Sequence, residues 1–187
     1  ALGTRSIVLV GMMGAGKSTI GRRMAARLKL PFTDADTEIE TAADMTIPEI
    51  FETHGEPYFR DGEARVIARI LDSGPVVLAT GGGIVSEPLT FDQILSSFYT
   101  IWLKAEPEEH MARVRRQGDL RPMADDRSAM AELRNILVSR EPLYARASAV
   151  VDTAGLSVDA AAARLIDSVR PVLQNEARSF GLRSVAL

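Results

Sequence analysis

The chain has no cysteine. That excludes disulfides and thiolate metal sites, and it is consistent with a reducing cytoplasm. No apolar run is long enough to cross a bilayer. The opening residues, 1–6, read as a lead into a first strand rather than as a signal peptide. Basic charge is not in excess: the net charge is −3, which argues against general nucleic-acid binding. Lysine itself is scarce, with 3 against 19 arginines. Internal repeats, low-complexity tracts and interdomain linkers are also missing. What remains is an ordinary globular composition, 46% hydrophobic and 25% charged, and 187 residues suit one domain with a sizeable core.

Against that background one stretch stands out. Gly11-Met12-Met13-Gly14-Ala15-Gly16-Lys17-Ser18 fits G-x-x-x-x-G-K-[ST]. The apolar run Ile7-Val8-Leu9-Val10 leads in as a buried strand, and a helical pattern from Thr19 to Leu28 leads out. Strand, loop and helix in this order form a phosphate-binding loop. Its glycines let backbone N–H groups curl inward onto phosphate oxygens, and the helix adds the positive end of its dipole. Lys17 is placed to reach the β- and γ-phosphates, and the Ser18 hydroxyl to bind Mg²⁺.

Short strands are expected at Ser6–Val10, Phe32–Asp34, Val76–Thr80, Phe98–Leu103 and Ala149–Asp152. Helical patterns lie between and after them: Lys17–Leu28, Asp36–Ala43, Ile47–Thr53, Gly62–Leu71, Pro107–Gln117, Ala129–Arg146 and Ser157–Leu173. Alternation of this kind predicts an α/β fold, a parallel sheet covered on both faces. Residues 118–128, rich in Gly, Pro, Asp and Arg, predict an exposed mobile loop and a candidate lid. The tail from Gln174 to Leu187 has weak patterning, compatible with fraying or with an extra docked helix. Between Arg113 and Arg146 there are eight arginines, no lysines and five acids. This local excess suits phosphates and carboxylates, which the guanidinium fork matches, although arginine bias alone supplies many of these residues.

Open α/β sheets bind ligands at strand C-terminal ends. Asp34-Ala35-Asp36 ends the second expected strand, and period-two alternation puts both carboxylates on one side. One is suited to the Mg²⁺ hydration shell and the other to an acceptor hydroxyl; the plainer alternative is that Asp36 only caps the next helix. Gly81-Gly82-Gly83 follows the third strand and permits close backbone approach to a ligand, or is a plain turn. Arg60 and Glu63 share a helical face at i,i+3 and form either an anion site or a surface ion pair. Arg140 is either a ligand or a solvated helix residue. His54 and His110 lack metal-ligand spacing and read as surface residues. Trp102 reads as core, and Met12-Met13 as packing around the loop.

The ordered set resembles the shikimate kinase family from about Ser6 to about Ile166. It rests on Gly11–Gly21, Asp34-Ala35-Asp36, Gly55-Glu56-Pro57-Tyr58-Phe59-Arg60 with Glu63, Gly81–Gly83, Arg121-Pro122 and Arg140-Glu141-Pro142-Leu143-Tyr144. The resemblance implies a three-layer P-loop kinase fold with sheet order 2-3-1-4-5 and a mobile lid, in one domain over 1–173. It implies ATP-dependent phosphorylation of the 3-hydroxyl of shikimate, with ATP and Mg²⁺, in a cytoplasmic monomer without nucleic-acid or membrane partners. Family roles then fall on Gly14, Ala15, Gly16, Lys17, Ser18, Thr19, Arg116 and Arg121 for the nucleotide. Asp34 joins Ser18 at the metal, and Asp36 becomes the acceptor-binding base. Arg60, Arg140 and the Gly81–Gly83 backbone would hold shikimate, Glu63 would support them, and Phe51 and Phe59 would wall the ring. Lys17, Asp36 and Arg121 form the catalytic set. Two segments differ from the family pattern: Arg121-Pro122 is followed by Met123-Ala124 rather than leucines, and Asp152–Ser157 lacks the usual Arg and Pro.

Two other readings compete. A gluconate or nucleoside monophosphate kinase would share the P-loop but not the Asp36, Arg60 and Arg140 set. A non-catalytic ATP-binding module would lack a phosphate-contacting residue or the acceptor aspartate, and Lys17, Ser18, Asp36 and Arg121 are all present.

Overall fold

Side chains of the first strand, Ile7–Val10 (β1), alternate between two cores. The computed structural model describes residues 5–116 and 126–179. Ile7 and Leu9 face α1 (Lys17–Leu28) and α8 (Val158–Ser179), packing with Ile20, Met24, Leu165 and Val169. Val8 and Val10 face the opposite layer, with Phe59, Ile67, Phe91, Met111 and Tyr144. A strand buried on both faces has no polar side to show, so its sequence is a continuous apolar run.

The remaining strands are β2 (Phe32–Asp34), β3 (Val77–Ala79), β4 (Tyr99–Lys104) and β5 (Ala149–Asp152), all parallel in the order β2-β3-β1-β4-β5. Register pairs Val8 with Leu78 on one side and Thr100 on the other. This is the expected sheet order, with helices in layers on both faces. It puts the loops after β1, β2 and β3 side by side at one edge, where the site forms.

The helices between are α2 (Ala35–Ala43), α3 (Ile47–His54), α4 (Glu56–Asp72), α5 (Pro88–Ser97), α6 (Pro107–Arg116) and α7 (Asp126–Tyr144), with a 3₁₀ turn at Gly82–Ser86. Thr46 caps α3 in a reciprocal box with Glu49. Helix α4 begins six residues before the expected Gly62, because Gly55 caps it and Pro57 fits its first turn. Helix α5 has no counterpart among the expected helices. Only Phe91 and Ile94 are buried along it, too few to show a helical period, and its start is set by Pro88. Helix α8 continues to Ser179, past the expected end at Leu173, so residues 174–179 extend a helix rather than form a separate one. The expected lid falls mostly outside the described residues, and residues 126–128 already belong to α7.

Candidate active site

The loop Gly11–Gly16 carries the chain from β1 into α1. Gly16 caps the helix at φ 89°, a left-handed conformation that glycine adopts without a Cβ penalty. Lys17 follows, buried, and its Nζ donates to the Gly11 carbonyl at 2.6 Å and the Met12 carbonyl at 2.8 Å. Burial lowers the Lys17 pKa to about 8, against the opposing pull of Asp36 and Asp34. Ala15 is buried behind the loop and has only backbone to offer a ligand.

At the end of β2 the geometry differs from simple alternation. The strand stops at Asp34, and Asp36 lies in the first turn of α2. Asp34, not Asp36, is the helix cap: its Oδ1 accepts from the Asp36 N–H at 3.0 Å and the Thr37 N–H at 3.4 Å. Its Oδ2 accepts from the Ser18 hydroxyl. The cap therefore fixes one carboxylate beside the P-loop serine and takes only the backbone N–H of Asp36, leaving its carboxylate outside the capping bonds. Burial raises the Asp36 pKa, Asp34 adds to the rise, and Lys17 opposes it.

A cleft of about 570 Å³ joins these parts. Gly14, Gly16, Lys17, Ser18 and Thr19 line it together with Asp34, Asp36, Thr80, Gly81 and Gly82. Behind Gly81 and Gly83 stand Arg60 and Glu63. Arg60 Nη1 donates to Glu63 Oε2 at 2.8 Å, and Arg60 also reaches Glu56 at 3.4 Å. Glu63 is fully buried, so this is not the solvated surface pair that the sequence left open. Burial raises the Glu63 pKa against the opposing hydrogen bond and charge of Arg60. Among the described residues Glu63 Oε1 has no hydrogen-bond partner. A Cβ on Gly81 would stand 3.0 Å from Asp36 Oδ1 and 3.4 Å from Glu63 Oε1. One on Gly83 would overlap the Arg60 guanidinium. The glycines thus let α2 and α4 bring three charged groups against one loop.

Arg140 approaches from α7, with Nη1 3.5 Å from Met12 Sδ, and is partly buried rather than fully solvated. Four residues on, Tyr144 is buried, stacks on Trp102 at 5.7 Å and donates to the Gly82 carbonyl at 2.6 Å. Burial pushes its pKa to about 12, so the hydroxyl stays a donor. The sequence pattern included Tyr144 in the Arg140–Tyr144 stretch but gave it no role; its i+4 spacing from Arg140 was the available signal. Phe59 is core beneath the Arg60 guanidinium, 5.1 Å from ring to cation, and the exposed Phe51 packs on it at 4.7 Å. Neither phenylalanine lines the cleft. The Arg116 side chain and Arg121 lie outside the described residues.

Two expectations about single residues change. His110 is not at the surface: it is buried, and its Nδ1 lies 3.1 Å from the Met13 carbonyl. The methionine pair divides, Met12 being core and Met13 half exposed.

Fold and cleft together define a P-loop phosphotransferase with room beside the phosphate loop for a small acceptor. The family model for shikimate kinase matches residues 13–179, and the chain belongs to the shikimate kinase family. It is 56% identical over 176 residues to the shikimate kinase of Bradyrhizobium diazoefficiens, covering 94% of this chain and 84% of that protein. A shikimate kinase structure from Acinetobacter baumannii, in complex with shikimate, superposes with a TM-score of 0.84 at 31% identity, covering 91% of this chain and 96% of that one. A gluconokinase from Sinorhizobium meliloti, at 16% identity and a TM-score of 0.61 over 94% and 97% of the two chains, shares the fold alone. The chain is an ATP-dependent kinase acting on a hydroxyl of shikimate.

Proposed function

We propose that the cleft transfers the γ-phosphoryl group of ATP to the 3-hydroxyl of shikimate, with the roles divided among residues as follows. Lys17 meets the β- and γ-phosphates with its charge, and the α1 N-terminus with Gly14–Thr19 cradles them. Asp36 binds the 3-hydroxyl and accepts its proton as the oxygen attacks the γ-phosphorus. The bond from that phosphorus to the β,γ-bridging oxygen breaks, and ADP leaves. A raised carboxylate pKa suits a base near neutral pH. Arg60 and Arg140 take the shikimate carboxylate, Glu63 orients Arg60, and the Gly81–Gly83 backbone lies against the ring. Phe51 and Phe59 support the Arg60 side of this pocket. Arg116 and Arg121 are the cations proposed for the nucleotide side, on family resemblance.

Mg²⁺ fits the Ser18–Asp34 pair. One hydroxyl and one carboxylate, already turned toward each other, suit a cation that keeps phosphates and waters as its other ligands. Among the described residues no cluster of three or more His, Asp or Glu offers an all-protein cage. The chemistry that such a cation supplies is neutralisation of charge on the phosphate oxygens. A single domain that includes all of α8 to Ser179, acting as a cytoplasmic monomer, completes the reading.

One observation carries this assignment: the P-loop, Asp36 and Gly81–Gly82 share one cleft, with the Arg60–Glu63 pair directly behind it. Coupled ADP-release assays with shikimate, gluconate and AMP offered separately test it. Turnover should depend on shikimate and on Mg²⁺; equal rates with gluconate or AMP would sink it.

A further inference from the structure

We infer that His110 is a positioning residue for the nucleotide, setting the orientation of a P-loop peptide from outside the cleft. This rests on reading the P-loop as the phosphate site. His110 lies in the first turns of α6 with its ring buried, and it does not line the cleft. Its Nδ1 is 3.1 Å from the Met13 carbonyl oxygen. A carbonyl accepts, so Nδ1 carries the proton and donates.

The consequence follows from peptide geometry. There are no cis peptide bonds in the described chain, and a trans peptide is planar, with its C=O and N–H pointing in opposite directions. The 13–14 peptide belongs to Met13 and Gly14, both of which line the cleft. Holding the Met13 carbonyl on the buried His110 fixes the plane of this peptide, and with it the direction of the Gly14 N–H on the opposite side of that plane's C–N bond. Gly14 has φ 73°, so without an anchor this peptide has wide freedom to rotate. Anchoring the carbonyl removes an ordering cost that nucleotide binding otherwise carries.

The anchor itself is held. The adjacent Glu109 accepts from the Gly155 N–H at 3.0 Å, tying the same helical turn to the loop after β5. On the other side, a Cβ on Gly82 would stand 3.2 Å from the Met13 nitrogen, so the acceptor loop backs the P-loop there. Met13 is thus held through the peptides on its two sides, by α6 at its carbonyl and by the loop after β3 at its nitrogen.

Calorimetry with ADP and, separately, with shikimate tests this, using His110→Leu, His110→Asn and His110→Gln with Tm as a fold check. The Asn amide nitrogen sits where Nδ1 was and keeps the donor; the Gln amide reaches the Nε2 position instead. ADP affinity should fall about tenfold in His110→Leu and His110→Gln, the scale of one hydrogen bond, and recover in His110→Asn. Shikimate affinity without nucleotide should stay within about twofold. Normal ADP binding in His110→Gln, equal losses for ADP and shikimate, or failure of Asn to restore ADP binding overturns the inference. If His110→Leu does not fold, the Gln and Asn pair decides alone. Failure of the unaltered protein to bind ADP would instead remove the phosphate-site reading beneath it.

Discussion

The Tyr144 hydroxyl donates to the Gly82 carbonyl over 2.6 Å, joining the end of α7 to the loop after β3. Both partners are remote from each other in sequence, and the bond fixes the backbone that flanks the acceptor pocket. Tyr144→Phe leaves a carbonyl without this donor, a loss of about 1–3 kcal/mol if it stays buried. For a chain of this size each kcal/mol lowers Tm by about 2–4 °C. The shikimate KM should rise more than the ATP KM, measured by varying each substrate in turn. Equal effects on both would mean that the bond serves stability alone.

Placement of the Arg60 guanidinium depends on Gly83 having no side chain. In Gly83→Ala the guanidinium has to swing aside, which takes it from the buried Glu63 carboxylate, so Tm should fall as well. Shikimate affinity should fall about tenfold or more, as in Arg140→Lys, where lysine cannot copy a bidentate grip on a carboxylate. Calorimetry that finds shikimate affinity normal in both variants rejects the clamp.

Asp34 and Asp36 should separate cleanly. Asp36→Asn removes charge and basicity at the acceptor and should lower kcat at least about a hundredfold, with nucleotide binding intact. Asp34→Asn should raise the Mg²⁺ concentration for half-maximal activity with little change in Tm, because an Asn amide oxygen still accepts the capping N–H bonds of α2. Because the Asp36 pKa is raised, kcat should be lost as pH falls through that raised value, earlier on acidification than for an ordinary carboxylate. Swapped phenotypes would reverse the two roles.

Lys17 gives the opposite limb. Its pKa of about 8 means that the amine is charged below that pH and progressively neutral above it. Bound phosphates favour the charged form, so ADP binding near pH 8 should take up protons, and affinity should weaken as pH rises beyond it. Calorimetry in two buffers of different ionisation enthalpy reads the uptake directly. Proton release at that pH would contradict the assignment.

Much of this was legible beforehand. The P-loop, the five strands and their α/β alternation are local patterns, and the family resemblance supplied the sheet order. Other parts were not local. Helix α5 shows only two buried anchors, and α4 begins at a Gly-Pro start that composition disguises as a turn. Asp34 rather than Asp36 proved to be the cap, because where β2 stops decides which carboxylate meets the helix N–H groups. His110 looked like a surface histidine because its partner is a backbone carbonyl 97 residues away.

The sequence by itself determined the phosphate loop and the apolar strands around it, since spacing and periodicity act between neighbours in the chain. Only the tertiary structure decided which distant groups converge: Glu63 buried against Arg60 behind Gly81–Gly83, Tyr144 on Gly82, and His110 on Met13. Burial and long-range hydrogen bonds depend on how the sheet order stacks loops from separate parts of the chain. They set which charges are desolvated and which peptides are held, and neither is written in any local window.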